Sequence, residues 1–184
     1  MPSLRVAAAQ LNPVVGDLDA NTDLVIAAIE QATAQGCDLV AFPELVLTGY
    51  PPEDLLLKEG FVADAVAALE RAAAATERCV AIIGAVVPAG YGDLRLGEAA
   101  DARPLLGRRL AAAPLANAAV VCAKGRIVDV IAKRLLPNYA VFDEQRWFLP
   151  GVGPHPLFRI AGTIVGMAVC EDLWSPAGPA ATMA

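Results

Sequence analysis

An α/β layered fold is the class this sequence predicts, and three features predict it. Continuous apolar runs at residues 4–10, 39–42 and 79–87 alternate with two segments whose apolar side chains recur at helical spacing, the β-α-β-α-β order of a layered sheet. The run at 79–87 is apolar throughout rather than alternating, as strands covered on both faces are. Of the 184 residues, 57% are hydrophobic and only 18% charged, which supplies a core for one domain and leaves two independent domains short of chain.

Taken in order, residues 4–10 read as a buried strand, followed by turn chemistry from Asn12-Pro13 to Gly16-Asp17. A helix follows, with Leu24, Val25, Ala28, Ile29 and Ala32 forming its apolar stripe, Asn21 or Thr22 as its cap and Gly36 as its end. Residues 39–42 form the next strand. A proline-rich loop covers 43–60, a helix 61–77, and a strand 79–87 bounded by Pro88 and Gly90. The stretch 89–113 lapses into Gly, Ala, Arg and Pro and reads as a surface excursion, to which no chemistry is assigned. Strands at 118–123 and 126–132 then meet at Lys124-Gly125 as a hairpin, and a second hairpin joins 157–160 to 163–169 through Ala161-Gly162. The chain stops soon after, with no full helix behind the last strand. The expectation is a domain truncated at its C-terminus, with sheet surface left uncovered.

Charge and composition narrow the function. A net charge of -6 argues against a nucleic-acid partner, since phosphates demand clustered Lys and Arg. The one basic cluster, Arg103 with Arg108-Arg109, lacks interleaved aromatics and reads as a solvated loop. No apolar run approaches the ~18 residues that span a bilayer, and the apolar start ends at once in Gln10, Asn12 and Pro13, so neither a membrane segment nor a signal peptide is expected. A cytoplasmic setting follows. Four cysteines scattered at 37, 79, 122 and 170 fit reduced thiols better than a disulfide scaffold, and a single histidine leaves no transition-metal site to expect.

Three polar residues then stand out by where they fall. Glu44 follows the apolar run 39–42, Lys133 closes 126–132, and Cys170 ends 163–169 just before Glu171-Asp172. Side chains that terminate the strands of an α/β sheet meet in the crevice beyond its carboxyl edge, so a carboxylate, an ammonium and a thiol are plausible neighbours. A thiol needs a base to become a strong nucleophile, and a nearby cation favours the thiolate. Desolvation raises a carboxylate's pKa and suits it to take and return a proton, while a lysine can hydrogen-bond the oxyanion of a tetrahedral intermediate. Each residue also has a plainer reading: a core cysteine, a turn-capping glutamate, a solvated lysine. Cys37, Cys79 and Cys122 keep the core reading.

The segments Phe42-Pro43-Glu44-Leu45, Lys133-Arg134-Leu135-Leu136-Pro137 and Val169-Cys170-Glu171-Asp172 together resemble the three signatures of the nitrilase, or carbon-nitrogen hydrolase, superfamily. The resemblance implies a four-layer α-β-β-α sandwich with Glu44, Lys133 and Cys170 as catalytic residues. Residues 47–55 and 136–148 add a narrower likeness, to the glutaminase domain of glutamine-dependent NAD synthetases. On that likeness Glu144 matches an accessory catalytic glutamate, and Tyr50, Tyr139, Phe142 and Glu171 match glutamine-pocket positions. Residues 1–184 would be an incomplete glutaminase domain that releases ammonia through a cysteine thioester, without a cofactor of its own. The synthetase domain, which would use ATP and Mg2+ to activate deamido-NAD, is expected to be absent from residues 1–184, in which no SGGxDS-like phosphate loop occurs. A homo-oligomer is also implied.

Other readings stay open at this level. Tyr139, Phe142, Trp147 and Phe148 could simply pin a long loop, and Glu144 could be an exposed ion-pair partner. The protein could be a stand-alone amidase acting on another small amide, a Cys170–His155 hydrolase, or an inactive scaffold.

Overall fold

The computed structural model describes residues 3–92 and 114–183, so most of the stretch 89–113 lies outside the described residues. Its main sheet has five strands in the order β1 (Val6–Ala8), β2 (Leu39–Ala41), β3 (Val80–Pro88), β4 (Leu115–Ala123) and β5 (Arg126–Ala132). β1, β2 and β3 run parallel, joined by the crossover helices α1 (Leu18–Ala34) and α2 (Phe61–Ala74), and β3, β4 and β5 run antiparallel. A second sheet pairs β6 (Leu157–Ile160) with β7 (Thr163–Gly166), and two one-turn helices follow, α3 (Glu171–Trp174) and α4 (Ala180–Met183). Among the described residues no helix is long and apolar enough to cross a membrane.

The period of two along each strand sorts the side chains into layers. Ala81, Ile83, Ala85 and Val87 of β3 pack with Val120 and Cys122 of β4 against Val25 and Ile29 of α1 and Leu69 of α2. On the opposite face Leu39, Ile82, Ala119, Val121 and Ile131 meet Ile160, Met167 and Val169 from the second sheet and the segment after it. Helices, main sheet and second sheet therefore stack as α, β and β, three of the layers expected.

Four details differ from the sequence reading. β1 is a three-residue edge strand, not a buried one: it pairs only with β2, Ala7 turns to the helices, and Val6 on the other face is 50% exposed. α1 is capped by Asp17, whose carboxylate accepts the Ala20 N–H. Asn21 lies inside the first turn, buried, and ties the helix to the loops by donating to the carbonyls of Val14 and Leu47. β4 starts at Leu115, so Asn117 sits within it. β7 ends at Gly166 because its partner runs out at Leu157, after Pro156, which has no N–H to extend the ladder. Cys170 therefore lies beyond the strand, on an irregular segment held by buried Met167 and Val169.

Candidate active site

Glu44 stands on a turn that the core holds rigid. Phe42 extends β2 by donating to the Ile82 carbonyl, and after Pro43 and Glu44 the fully buried Leu45, Val46 and Leu47 anchor the chain. That turn crosses β3 so closely that a Cβ on Gly84 would lie 2.5 Å from both the Leu45 nitrogen and the Pro43 oxygen. Only glycine fits there.

Lys133 follows β5 and is pinned on both sides of its own backbone. Its N–H donates to the Asn117 carbonyl at 2.8 Å, and its carbonyl accepts from Gly151 at 2.9 Å. The side chain is completely buried and its Nζ donates to Glu44 Oε1 at 2.6 Å and to Glu144 Oε1 at 2.8 Å. Glu144 opens a single 3-10 turn, and the Tyr50 hydroxyl donates to its Oε1 at 2.8 Å. An ammonium has three donors, so one N–H of Lys133 is left over from these two contacts.

Cys170 occupies a tight turn at φ 46°, immediately before α3, in a left-handed conformation uncommon for a non-glycine residue. The buried Asp172 carboxylate builds this turn: it accepts from the N–H groups of Arg134 and Leu135 through Oδ1, at 3.1 and 2.8 Å, and from Val169 through Oδ2 at 3.3 Å. The residues next to Lys133 and those next to Cys170 are thereby fastened to one carboxylate. A cleft of about 630 Å³ between the two sheets has Glu44 and Cys170 in its wall, with Ala41, Gly84, Ala119 and Met167.

Electrostatics follow from two carboxylates sharing one buried ammonium. Burial disfavours the Lys133 charge, but Glu44 and Glu144 outweigh it and leave the lysine pKa raised. Burial pushes Glu144 up; Lys133 pulls it down and Glu44 pushes it up again, and the net effect is a raised pKa. The Cys170 thiol is also raised, first by partial burial and then by the Glu44 charge, with Lys133 opposing both. The resting sulfur is thus a thiol beside a carboxylate. That arrangement calls for a base at the moment of attack rather than a preformed thiolate.

The sequence-derived candidates fall into two groups. Glu44, Lys133, Glu144 and Tyr50 form one buried network, and Cys170 is close enough to Glu44 and Lys133 to be shifted by both. Tyr139, Phe142 and Glu171 form a more open rim: Tyr139 donates to Glu171 at 3.0 Å and packs edge-on against Phe142 at 5.6 Å between ring centroids. Phe148 is core, buried with Leu45, Leu56 and Leu136, with Trp147 packed against that cluster. Glu144 is a buried ion-pair partner, not an exposed one. His155 lines a separate cavity of about 280 Å³ beside β5, with Asp129 and Arg134, where burial and Arg134 lower its pKa.

Three contributors escape a reading of strand ends. Asn117 donates its carboxamide N–H to Glu44 Oε1 at 2.6 Å and, at 3.5 Å, to Glu144 Oε2. Its signal was a lone amide in an otherwise apolar run. Gly84 carried a signal too, since an isolated glycine inside a strand marks close backbone approach. Asp172 carried none beyond its charge.

Comparison with known proteins supplies the lineage. Over 173 residues the chain is 42% identical to a glutamine-dependent NAD(+) synthetase of Xylella fastidiosa, a match that covers 93% of this chain and 28% of that protein. A synthetase of the same description from Thermotoga maritima is 39% identical over 183 residues, again 28% of its length. The chain thus spans little more than a quarter of these relatives. Among solved structures, a glutamine-dependent NAD+ synthetase from Acinetobacter baumannii, in complex with ADP, superposes with a TM-score of 0.72 at 34% identity, over 94% of this chain and 28% of that one. An amidase from Nesterenkonia sp. shares the fold at 22% identity, with a TM-score of 0.69 over 94% of this chain and 57% of its own. The family model described as carbon-nitrogen hydrolase matches residues 5–184. The α-β-β layering is that of the nitrilase fold, and the chain belongs to the carbon-nitrogen hydrolase family.

Proposed function

We propose that this chain hydrolyses the side-chain amide of glutamine through a thioester on Cys170, as the ammonia-releasing part of a glutamine-dependent NAD synthetase. The observation that carries the reading is the buried Lys133 shared by Glu44 and Glu144, with Glu44 and the exposed Cys170 thiol in the wall of one cleft. Glu44 accepts the Cys170 proton as the sulfur attacks the amide carbon. Lys133, with an N–H to spare, hydrogen-bonds the oxyanion. Collapse breaks the carbon-nitrogen bond, Glu44 returns its proton to the departing nitrogen, and ammonia leaves a glutamyl thioester. Water then gives a proton to Glu44, helped by the Glu144 charge, and attacks the thioester carbon. Glutamate departs and the proton returns to sulfur.

Every step balances with water alone. ATP and magnesium belong, in this reading, to a synthetase domain that receives the ammonia for deamido-NAD. The groups around Cys170 do not fit a triphosphate, because Lys133, the sole buried cation among the described residues, is already shared by Glu44 and Glu144, and Glu171 and Asp172 follow the cysteine with further negative charge. The rim of Tyr139, Phe142 and Glu171 is the part suited to hold the α-amino and carboxylate end of glutamine, with Tyr50 behind it. The relatives' names support glutamine over other amides, and a homo-oligomer in the cytoplasm completes the proposal.

Mass spectrometry of the protein quenched during glutamine turnover tests it. A glutamyl adduct on Cys170, absent in Cys170→Ala, is the expected result. Faster ammonia release from acetamide than from glutamine would replace the synthetase reading with a stand-alone amidase.

A further inference from the structure

β4 is apolar but for Asn117, which is 1% exposed and lies opposite Val86 of β3. Burying a carboxamide in a sheet interior is costly unless its hydrogen bonds are made, and here only half are: Nδ2 is engaged, while Oδ1 is buried with no partner among the described residues. A side chain kept at that cost is serving something besides stability. Its partners are informative. The backbone carbonyl of Asn117 holds the Lys133 N–H, and its side chain holds Glu44 and reaches Glu144, so three segments of the site converge on one residue.

The two oxygens of Glu44 are consequently unlike. Oε1 receives Lys133 Nζ and Asn117 Nδ2, each at 2.6 Å, which engages both of its lone pairs. Among the described residues no nitrogen donor reaches Oε2. We propose that Asn117 is a positioning residue for proton transfer: it locks Glu44 with Oε1 turned to the lysine, so that Oε2 is the oxygen that exchanges a proton with Cys170. This inference rests on the acyl-transfer reading of Cys170 but not on glutamine as the substrate. Removing the carboxamide leaves Lys133 as the only nitrogen donor on the Glu44 side chain among the described residues, and the carboxylate is free to swing about that contact.

The test measures ammonia release by the intact protein from glutamine and from acetamide, with Asn117→Leu, of similar shape, and Asn117→Asp beside the wild type. On whichever amide the wild type hydrolyses, kcat should fall about 100-fold in both variants, the scale expected when a proton-transfer group is misplaced, with KM changed less than about threefold. Their pH profiles should differ. A protonated aspartic acid regains a donor, so Asn117→Asp should recover as the pH is lowered through the range where the wild type is losing activity, which a merely structural defect would not do. The inference is overturned if either variant, with a native thermal melt, keeps kcat within threefold of wild type, or if Asn117→Asp follows the wild-type pH profile. If neither variant folds, Asn117→Ser is judged by the same kcat and KM criteria. A wild type active on acetamide but not on glutamine would remove the substrate reading while leaving Asn117 under test, and one active on neither would overturn both.

Discussion

Replacing Gly84 by alanine puts a methyl group where the Glu44 turn runs. The new Cβ would lie 2.5 Å from the Leu45 nitrogen and the Pro43 oxygen and 3.0 Å from the Glu44 carbonyl carbon, whereas ordinary contact begins near 3.4 Å, so backbone must move by about 0.9 Å. Neither side yields easily. β3 is paired on both edges, and Leu45 to Leu47 are fully buried. Overpacking of this kind costs about 1–3 kcal/mol, which for a domain of this size lowers Tm by roughly 2–12 °C. The larger effect falls on chemistry. Glu44 meets Lys133 at 2.6 Å, and a displacement near 1 Å at such a contact costs on the order of 100-fold in rate. Thermal melts and steady-state amide hydrolysis measure the two effects separately. A folded Gly84→Ala protein with wild-type kcat would refute the claim that this glycine sets the position of the glutamate.

Three further changes probe the charges. Lys133→Met strands two carboxylates without their cation and should cost about 3–5 kcal/mol at neutral pH in urea unfolding; the deficit should shrink as the pH is lowered, because Glu144, raised by burial and no longer pulled down by Lys133, takes up a proton at a higher pH in the folded variant than in the unfolded chain. In the wild type the contribution of Lys133, whose pKa is raised, is fully present below the ordinary lysine value of 10.5 and lost as pH climbs through the raised one; a flat alkaline profile would contradict it. Glu44→Gln removes a charge that holds the thiol up, so iodoacetamide should label Cys170 faster near pH 8 even as amide hydrolysis is abolished; slower labelling would refute that electrostatic assignment. Asp172→Ala leaves three backbone N–H groups without their acceptor and should cost at least about 3 kcal/mol, a result excluded by an unfolding midpoint close to wild type.

Much of the site was legible because chemistry interrupts hydrophobic continuity. Glu44 and Lys133 stand out since each ends an apolar run, and the runs map onto β2 and β5 within a residue or two. The same logic hid Asn117. A strand read from unbroken hydrophobicity begins after the amide, at 118, so a residue that reaches both carboxylates beside Lys133 fell outside the element that carries it. Cys170 was found for a partly wrong reason, as the end of a strand that in fact stops at Gly166, where β6 can no longer pair. Pairing partners are long-range facts, and hydropathy does not record them. The helix cap misled in a related way: Asn21 has a capping side chain, but its contacts with Val14 and Leu47 put it to use between segments.

The carboxylate of Asp172 gathers amide protons from residues 134, 135 and 169. In hydrogen exchange these three should share a single opening event, since none can be released to solvent without loosening the acceptor that protects the others. The segment carrying the cation and the segment carrying the sulfur would then unlock together or not at all, so a partly opened molecule would not let the thiol's turn come away while the lysine stayed in place.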